Sequence, residues 1–223
     1  MVNWKTSFRS FYYDKAELPD DIVLKKDQTA LLVIDIQNTY LEPDQDHTEA
    51  TRWQPFYERM RDIVIPNNKK IIDWARKEGL EVIFARIACQ KTNGRDRSLS
   101  QKKPGFNYLL LPKDRDDSQI VSELNPINDE IVITKTTDSA LTGTNLRLIL
   151  HNMGIKDVIV SGIFTDQCVS STVRSLADES FGVLVVHDAC AAATMELHER
   201  ELEIINMIYC HVVGCDDLDD FLK

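Results

Sequence analysis

No stretch of the 223-residue sequence approaches the roughly 20 consecutive apolar residues that a membrane-spanning helix requires. The N-terminus carries Lys5, Arg9, Asp14 and Lys15 among aromatics and lacks the apolar core of a secretion signal, so a cytoplasmic protein is expected. Positive charge is scarce: 26 basic against 36 acidic residues leave a net −10, which argues against nucleic acid or an anionic membrane as a partner. The five cysteines (Cys89, Cys168, Cys190, Cys210 and Cys215) are odd in number, scattered, and contain no C-x-x-C pair, which excludes a disulfide framework. Cys210, His211 and Cys215 are poorly spaced for zinc. Internal repeats, low-complexity segments and linkers are also missing. A single globular domain long enough to bury a full core is what these absences leave.

Apolar runs then alternate with helical spacing. Thr29–Ile36, Leu80–Ile87, Glu130–Thr134, Asp157–Ser161, Val183–Val186 and Cys210–Val213 read as six strands. Helices are predicted from about Pro55 to Glu78 with a break or fresh start at Pro66, from Gly143 to Gly154, after Cys168 with Gly182 as a stop, and from Met195 to about Ile208. Ile120–Leu124 reads as a further short helix. Strands apolar on both faces and alternating with helices indicate an α/β fold, a parallel sheet covered on both sides. Residues 1–27 lack periodicity and form an N-terminal arm expected to pack on the domain, 28–223, or on a neighbouring subunit.

Parallel α/β sheets place their sites beyond the carboxyl ends of the strands. Three reactive side chains meet that condition: Asp35 at the end of the first strand, Lys135 after the third, and Cys168 just past the fourth. Cys168 is expected in the first turn of a helix, where free N–H groups and the dipole favour a thiolate and could hold an oxyanion. The alternative is a small core residue at a tight strand–helix junction. Asp35 sits in an apolar run where a carboxylate is costly unless something uses it. Base, cation and thiol together have the logic of an activated cysteine nucleophile.

The segments LLVIDIQN, VITKTTDSALTGTNL and VSGIFTDQCVSST resemble, in this order, the three signature segments of the isochorismatase-like cysteine hydrolases. The resemblance runs from about Thr29 to Val213 and is closest to the N-carbamoylsarcosine and ureide amidases. It implies a single three-layer domain on a six-stranded parallel sheet, and a homo-oligomer, dimer or tetramer. It also implies Cys168 as nucleophile, Asp35 as proton acceptor and donor, and Lys135 as the cation orienting both. The oxyanion hole falls on the backbone N–H groups of Phe164 and Cys168, with a cis peptide between Ile163 and Phe164. The implied activity is hydrolysis of a C–N bond in a small amide, ureide or carbamoyl compound through a thioester. Its alternatives are vinyl-ether hydrolysis, whose family members lack the cysteine, and a non-catalytic binding role.

Departures from the family pattern bear on cofactor and substrate. Asp44–Gln45–Asp46–His47 has residue types that could bind metal but not the nicotinamidase positions, so it reads as a solvated loop; no metal and no other cofactor is expected. Leu141 replaces a typical aromatic, which alters the pocket wall. Gln37, Tyr40 and Leu141 are taken as substrate contacts. His187–Asp188 reads as a turn. The stretch from Arg86 to Lys103 holds Arg86, Lys91, Arg95, Arg97, Lys102 and Lys103 against Asp96 alone, a local +5. It is either a solvated lid or a substrate loop in which Arg95 or Arg97 grips a carboxylate.

Overall fold

Among the described residues, six strands form one parallel sheet: β1 (Thr29–Ile34), β2 (Glu81–Ile87), β3 (Ile131–Lys135), β4 (Asp157–Ile163), β5 (Gly182–Ala191) and β6 (His211–Val213). These come from a computed structural model that describes residues 3–41, 46–104 and 109–223. The spatial order is β3-β2-β1-β4-β5-β6. Winding therefore reverses between β1 and β4, and a crevice opens at that switch point beyond their carboxyl ends.

The side-chain period of two divides each strand between two cores. Leu31 and Val33 of β1 join Phe56, Met60, Ile71 and Leu218 on one face. Ala30, Leu32 and Ile34 join Leu146, Leu150, Val173 and Leu202 on the other. Helices α1 (His47–Arg59), α2 (Ile65–Glu78) and α6 (Leu218–Phe221) contribute to the first core; α3 (Leu146–Asn152), α4 (Ser170–Asp178) and α5 (Met195–Ile205) contribute to the second.

At Pro66 the fresh start is what is found: α2 begins at Ile65 with Pro66 in its first turn, and one π turn, Met60–Val64, joins it to α1. Other boundaries differ from the sequence reading, each for a local reason. Helix α4 stops before Gly182, with Ser180 at φ 69°, and Gly182 opens β5 instead. Strand β5 runs through His187–Asp188, which is no turn. A bulge between Val160 and Gly162 keeps it paired, bringing Gly162 opposite Cys190. Of Asp44–His47, Asp44 and Gln45 lie outside the described residues, and Asp46 caps α1 by accepting from the Thr48 and Glu49 N–H groups.

The arm packs on its own domain. Trp4 stacks on His211 with centroids 3.6 Å apart, and Asn206 Nδ2 donates to the carbonyls of Trp4, Ser7 and Phe8.

Gly162 marks where β4 comes closest to β1. Its φ is 116°, and a Cβ there would lie 2.0 Å from the Ile34 carbonyl oxygen. Gly162→Ala is therefore expected to destabilise the fold by more than about 2 kcal/mol, read from urea unfolding. A variant as stable as the wild type would show that the two backbones have room to part.

Candidate active site

The crevice at the switch point holds the three residues that the strand ends were expected to supply. Asp35 follows β1 directly at φ 54°, a left-handed conformation that aspartate tolerates better than most side chains, and its N–H donates to Ala85 O at 2.8 Å. Lys135 is the last residue of β3, two strands from β1, and its length lets it reach past β2. Its Nζ lies 2.7 Å from Asp35 Oδ2 and 3.2 Å from Cys168 Sγ, and donates to Thr137 O at 3.2 Å. Of the three donors of an ammonium, two hydrogen-bond Cys168 and Thr137, while Asp35 is held at ion-pair distance. The trio is closed off from water: Lys135 is 0%, Asp35 2% and Cys168 5% exposed.

Cys168 sits not in an α-helical turn but in a π turn, Thr165–Val169, that precedes α4. Val169 N–H donates to Phe164 O at 3.1 Å, and the Ile163–Phe164 peptide is cis. Thr172 Oγ1 donates to Cys168 O at 2.7 Å and accepts from Ala140 N–H at 3.0 Å, tying this turn to the loop after β3.

Charge states follow from burial and neighbours. Burial pushes the Asp35 carboxyl up, with the Lys135 ammonium opposing it. Burial works against the charge on Lys135, but Asp35 and Cys168 beside it hold the ammonium above its ordinary range. Burial, then the Asp35 carboxylate, drives the Cys168 thiol well up, against the pull of Lys135. The resting sulfur is therefore a thiol beside an ion pair, and not the thiolate that a helix N-terminus alone suggests. Burial likewise pushes Cys190 up to about 12.

The residues expected as substrate contacts are placed differently. Tyr40 lies beside the trio: burial and then Asp35, Cys168 and Asp138 raise its phenol, and its ring meets Phe164 edge-on at 5.4 Å. Gln37 has its side-chain amide tied into the framework. Its Nε2 donates to Ile87 O at 3.0 Å and Ser118 O at 2.8 Å, and its Oε1 accepts from Ile87 N–H at 2.9 Å, so the side chain staples β1 to β2. Arg97 is 6% exposed, and its Nε and Nη1 donate to the carbonyls of Gly94, Gln101 and Leu109, holding the loop together. Arg95 is exposed, and its side chain makes no hydrogen bond or ion pair among the described residues. Leu141 lies buried in the same core cluster as Cys168.

Residues that sequence reasoning missed complete the surroundings. Trp53 and Phe56 of α1 pack on Phe164 at 6.1 and 5.2 Å between centroids, an aromatic wall that looks like ordinary helix core in sequence. Asp138 Oδ1 lies 3.9 Å from Cys168 Sγ and accepts from Gln101 Nε2 at 3.3 Å. His198 supports the turn that carries Cys168, with Nδ1 2.8 Å from Thr165 Oγ1 and Nε2 3.3 Å from Arg59 Nη2. Arginine only donates, so Nε2 accepts and Nδ1–H donates to Thr165. Burial, then the Arg59 charge, lowers His198 to about 3.

A histidine depressed from 6.5 in the unfolded chain stabilises fully above about 6.5, and loses that contribution as pH falls toward about 3. The wild type is thus expected to lose more unfolding free energy across that window than His198→Gln, measured by urea unfolding at stepped pH. Identical slopes would place a charge on His198 in the folded state.

Comparison with known proteins agrees with this arrangement. A family model described as "Isochorismatase domain" matches residues 29–217. The ureidoacrylate amidohydrolase RutB of Acinetobacter baylyi is 30% identical over 220 residues, covering 87% of this chain and 83% of that protein. An isochorismatase-like hydrolase of Alkaliphilus metalliredigens superposes with a TM-score of 0.68 at 25% identity, over 86% of this chain and 98% of that one. The N-carbamoylsarcosine amidase of Thermoplasma acidophilum shares the fold, with a TM-score of 0.65 at 23% identity over 85% and 97% of the two chains. With its three signature segments meeting at one switch point and the match spanning nearly the whole sheet, the chain belongs to the isochorismatase family of hydrolases.

Proposed function

We propose that this chain is a cysteine amidohydrolase that cleaves a C–N bond of a small amide, ureide or carbamoyl compound through a thioester. The observation that carries the reading is the buried contact of Lys135 Nζ with both Asp35 Oδ2, at 2.7 Å, and Cys168 Sγ, at 3.2 Å. Similarity to the ureidoacrylate amidohydrolase RutB supports a ureide-type substrate, and the net charge of −10 supports a small molecule over nucleic acid.

The steps balance within the site. Asp35 takes the Cys168 proton as sulfur attacks the carbonyl carbon, and the carbonyl electron pair moves to oxygen. A carboxyl raised by burial is a stronger base than an ordinary one, which suits this transfer. Lys135 stays protonated and steadies the emerging thiolate. The N–H groups of Phe164 and Cys168 receive the oxyanion. Collapse breaks the C–N bond, and Asp35 returns the proton to the leaving nitrogen. Water then gives a proton to Asp35 and attacks the thioester, and sulfur leaves and recovers that proton.

Screening small amides and ureides for released ammonia or amine, with acid-quenched peptide mass mapping, tests the reading. Turnover that stops on alkylation of Cys168, with an acyl mass on its peptide, is expected. Hydrolysis that survives complete alkylation of Cys168 would overturn it.

A further inference from the structure

We propose that Asp138 selects the substrate: its carboxylate beside Cys168 Sγ accepts N–H bonds from the bound amide and favours one bearing a protonated amine over one bearing a carboxylate. This rests on the hydrolase reading above and adds a substrate class to it. It favours the solvated-lid reading of the basic loop over the one in which Arg95 or Arg97 grips a substrate carboxylate.

Geometry puts Asp138 within reach of whatever the sulfur attacks. Its Oδ1 is 3.9 Å from Cys168 Sγ, it follows the Thr137 carbonyl that receives Lys135, and its side chain is half-buried. Its charge also bears on both reactive neighbours, because it helps to raise the Cys168 thiol and the Tyr40 phenol.

The protein itself leaves that charge largely unanswered. Lys135, the cation of the site, is already ion-paired with Asp35 and hydrogen-bonded to Cys168 and Thr137. Among the described residues no lysine, arginine or histidine forms an ion pair with Asp138, and beyond the thiol its one donor is Gln101 Nε2, at 3.3 Å. An ionised carboxylate has about four acceptor sites, so most of this one's capacity stays open. The basic loop does not close the account either. Arg97 is turned onto backbone carbonyls within the loop, and Arg95 is exposed without a side-chain partner among the described residues. Two carboxylates thus flank one sulfur with a single ammonium between them. A ligand ammonium or a row of N–H donors completes that set, whereas a ligand carboxylate adds a third negative charge.

Two measurements test the assignment. In the first, methanethiosulfonate reagents carrying an ethylammonium or an ethylsulfonate group are reacted with the protein, and labelling at Cys168 is followed by peptide mass mapping. After correction for their rates with a free thiol, the ammonium reagent is expected to react at least about tenfold faster. Asp138→Asn should bring the ratio close to one. A wild-type preference for the sulfonate, or a ratio unchanged in Asp138→Asn, overturns the proposal, and the wild-type arm needs no variant to fold. In the second, kcat/KM for ammonia release is compared across glycinamide, propionamide and malonamate, which carry positive, neutral and negative groups on similar frames. Glycinamide should lead and malonamate trail, with Asp138→Asn losing about tenfold on glycinamide and gaining on malonamate. Equal losses on all three would mean that Asp138 serves the thiol alone. Charge-selective labelling without turnover of any amide would fail the hydrolase reading and leave Asp138 standing; turnover without charge preference would do the reverse.

Discussion

Cys168→Ser is expected to lower kcat/KM on the order of 10⁴-fold or more while leaving the unfolding midpoint near that of the wild type. Sulfur and oxygen differ little in size here, and the site is closed, with Cys168 5% exposed in the core cluster that holds Leu141 and Val169. Their acidities differ greatly. The thiol is already driven well up by burial and Asp35, and only the Lys135 ammonium at 3.2 Å works the other way. A hydroxyl in the same place starts many units higher, beyond what one carboxylate base can overcome. Steady-state kinetics and thermal unfolding on the same preparation separate chemistry from folding. Near-normal hydrolysis by the serine variant would overturn the thiol-dependent mechanism proposed for Cys168.

The site was legible in the sequence where chemistry and strand ends coincide. Asp35 stands out because a carboxylate interrupts an apolar run, Lys135 because it follows such a run directly, and Cys168 because it comes one short polar turn after another. What the sequence hides is direction. Gln37 and Arg97 carry the polar groups a substrate would want, yet both donate to backbone carbonyls, Gln37 across long sequence separations and Arg97 within its own loop. Asp138 lies within a signature segment but becomes a site residue only when the loop after β3 meets the turn after β4. Strand β5 was read four residues long because His187–Asp188 is polar. The bulge opposite Gly162 and the donation of Cys215 N–H to Asp188 Oδ1 at 2.9 Å make those polar residues acceptable in a strand. Periodicity finds apolar pattern; it does not see polar groups that tertiary structure has satisfied.

Lys135→Met is expected to cost about 3–5 kcal/mol of unfolding free energy at neutral pH, because it strands a buried carboxylate. Asp35 is 2% exposed and its partner is the ammonium at 2.7 Å; methionine fills the volume and removes the charge. The loss should depend on pH with a definite sign. Burial already raises the Asp35 carboxyl, and without Lys135 nothing of opposite charge opposes it. A carboxyl whose folded pKa lies above its unfolded value of about 3.9 takes up its proton preferentially in the folded state. The variant is then most stable below that unfolded value and loses stability as pH rises through the folded one. The wild type loses less over the same window, because its lysine, raised above the ordinary range by Asp35 and Cys168, opposes the upward shift of the carboxyl. The gap between wild type and Lys135→Met should therefore widen from about pH 4 upward. Adding Asp35→Asn to Lys135→Met removes the stranded charge and should recover much of the loss, although each single variant is inactive. Urea unfolding of the four proteins at stepped pH measures both effects. A pH-independent gap, or a double variant no more stable than Lys135→Met, would mean that the pair is not the buried electrostatic unit on which the thiol depends.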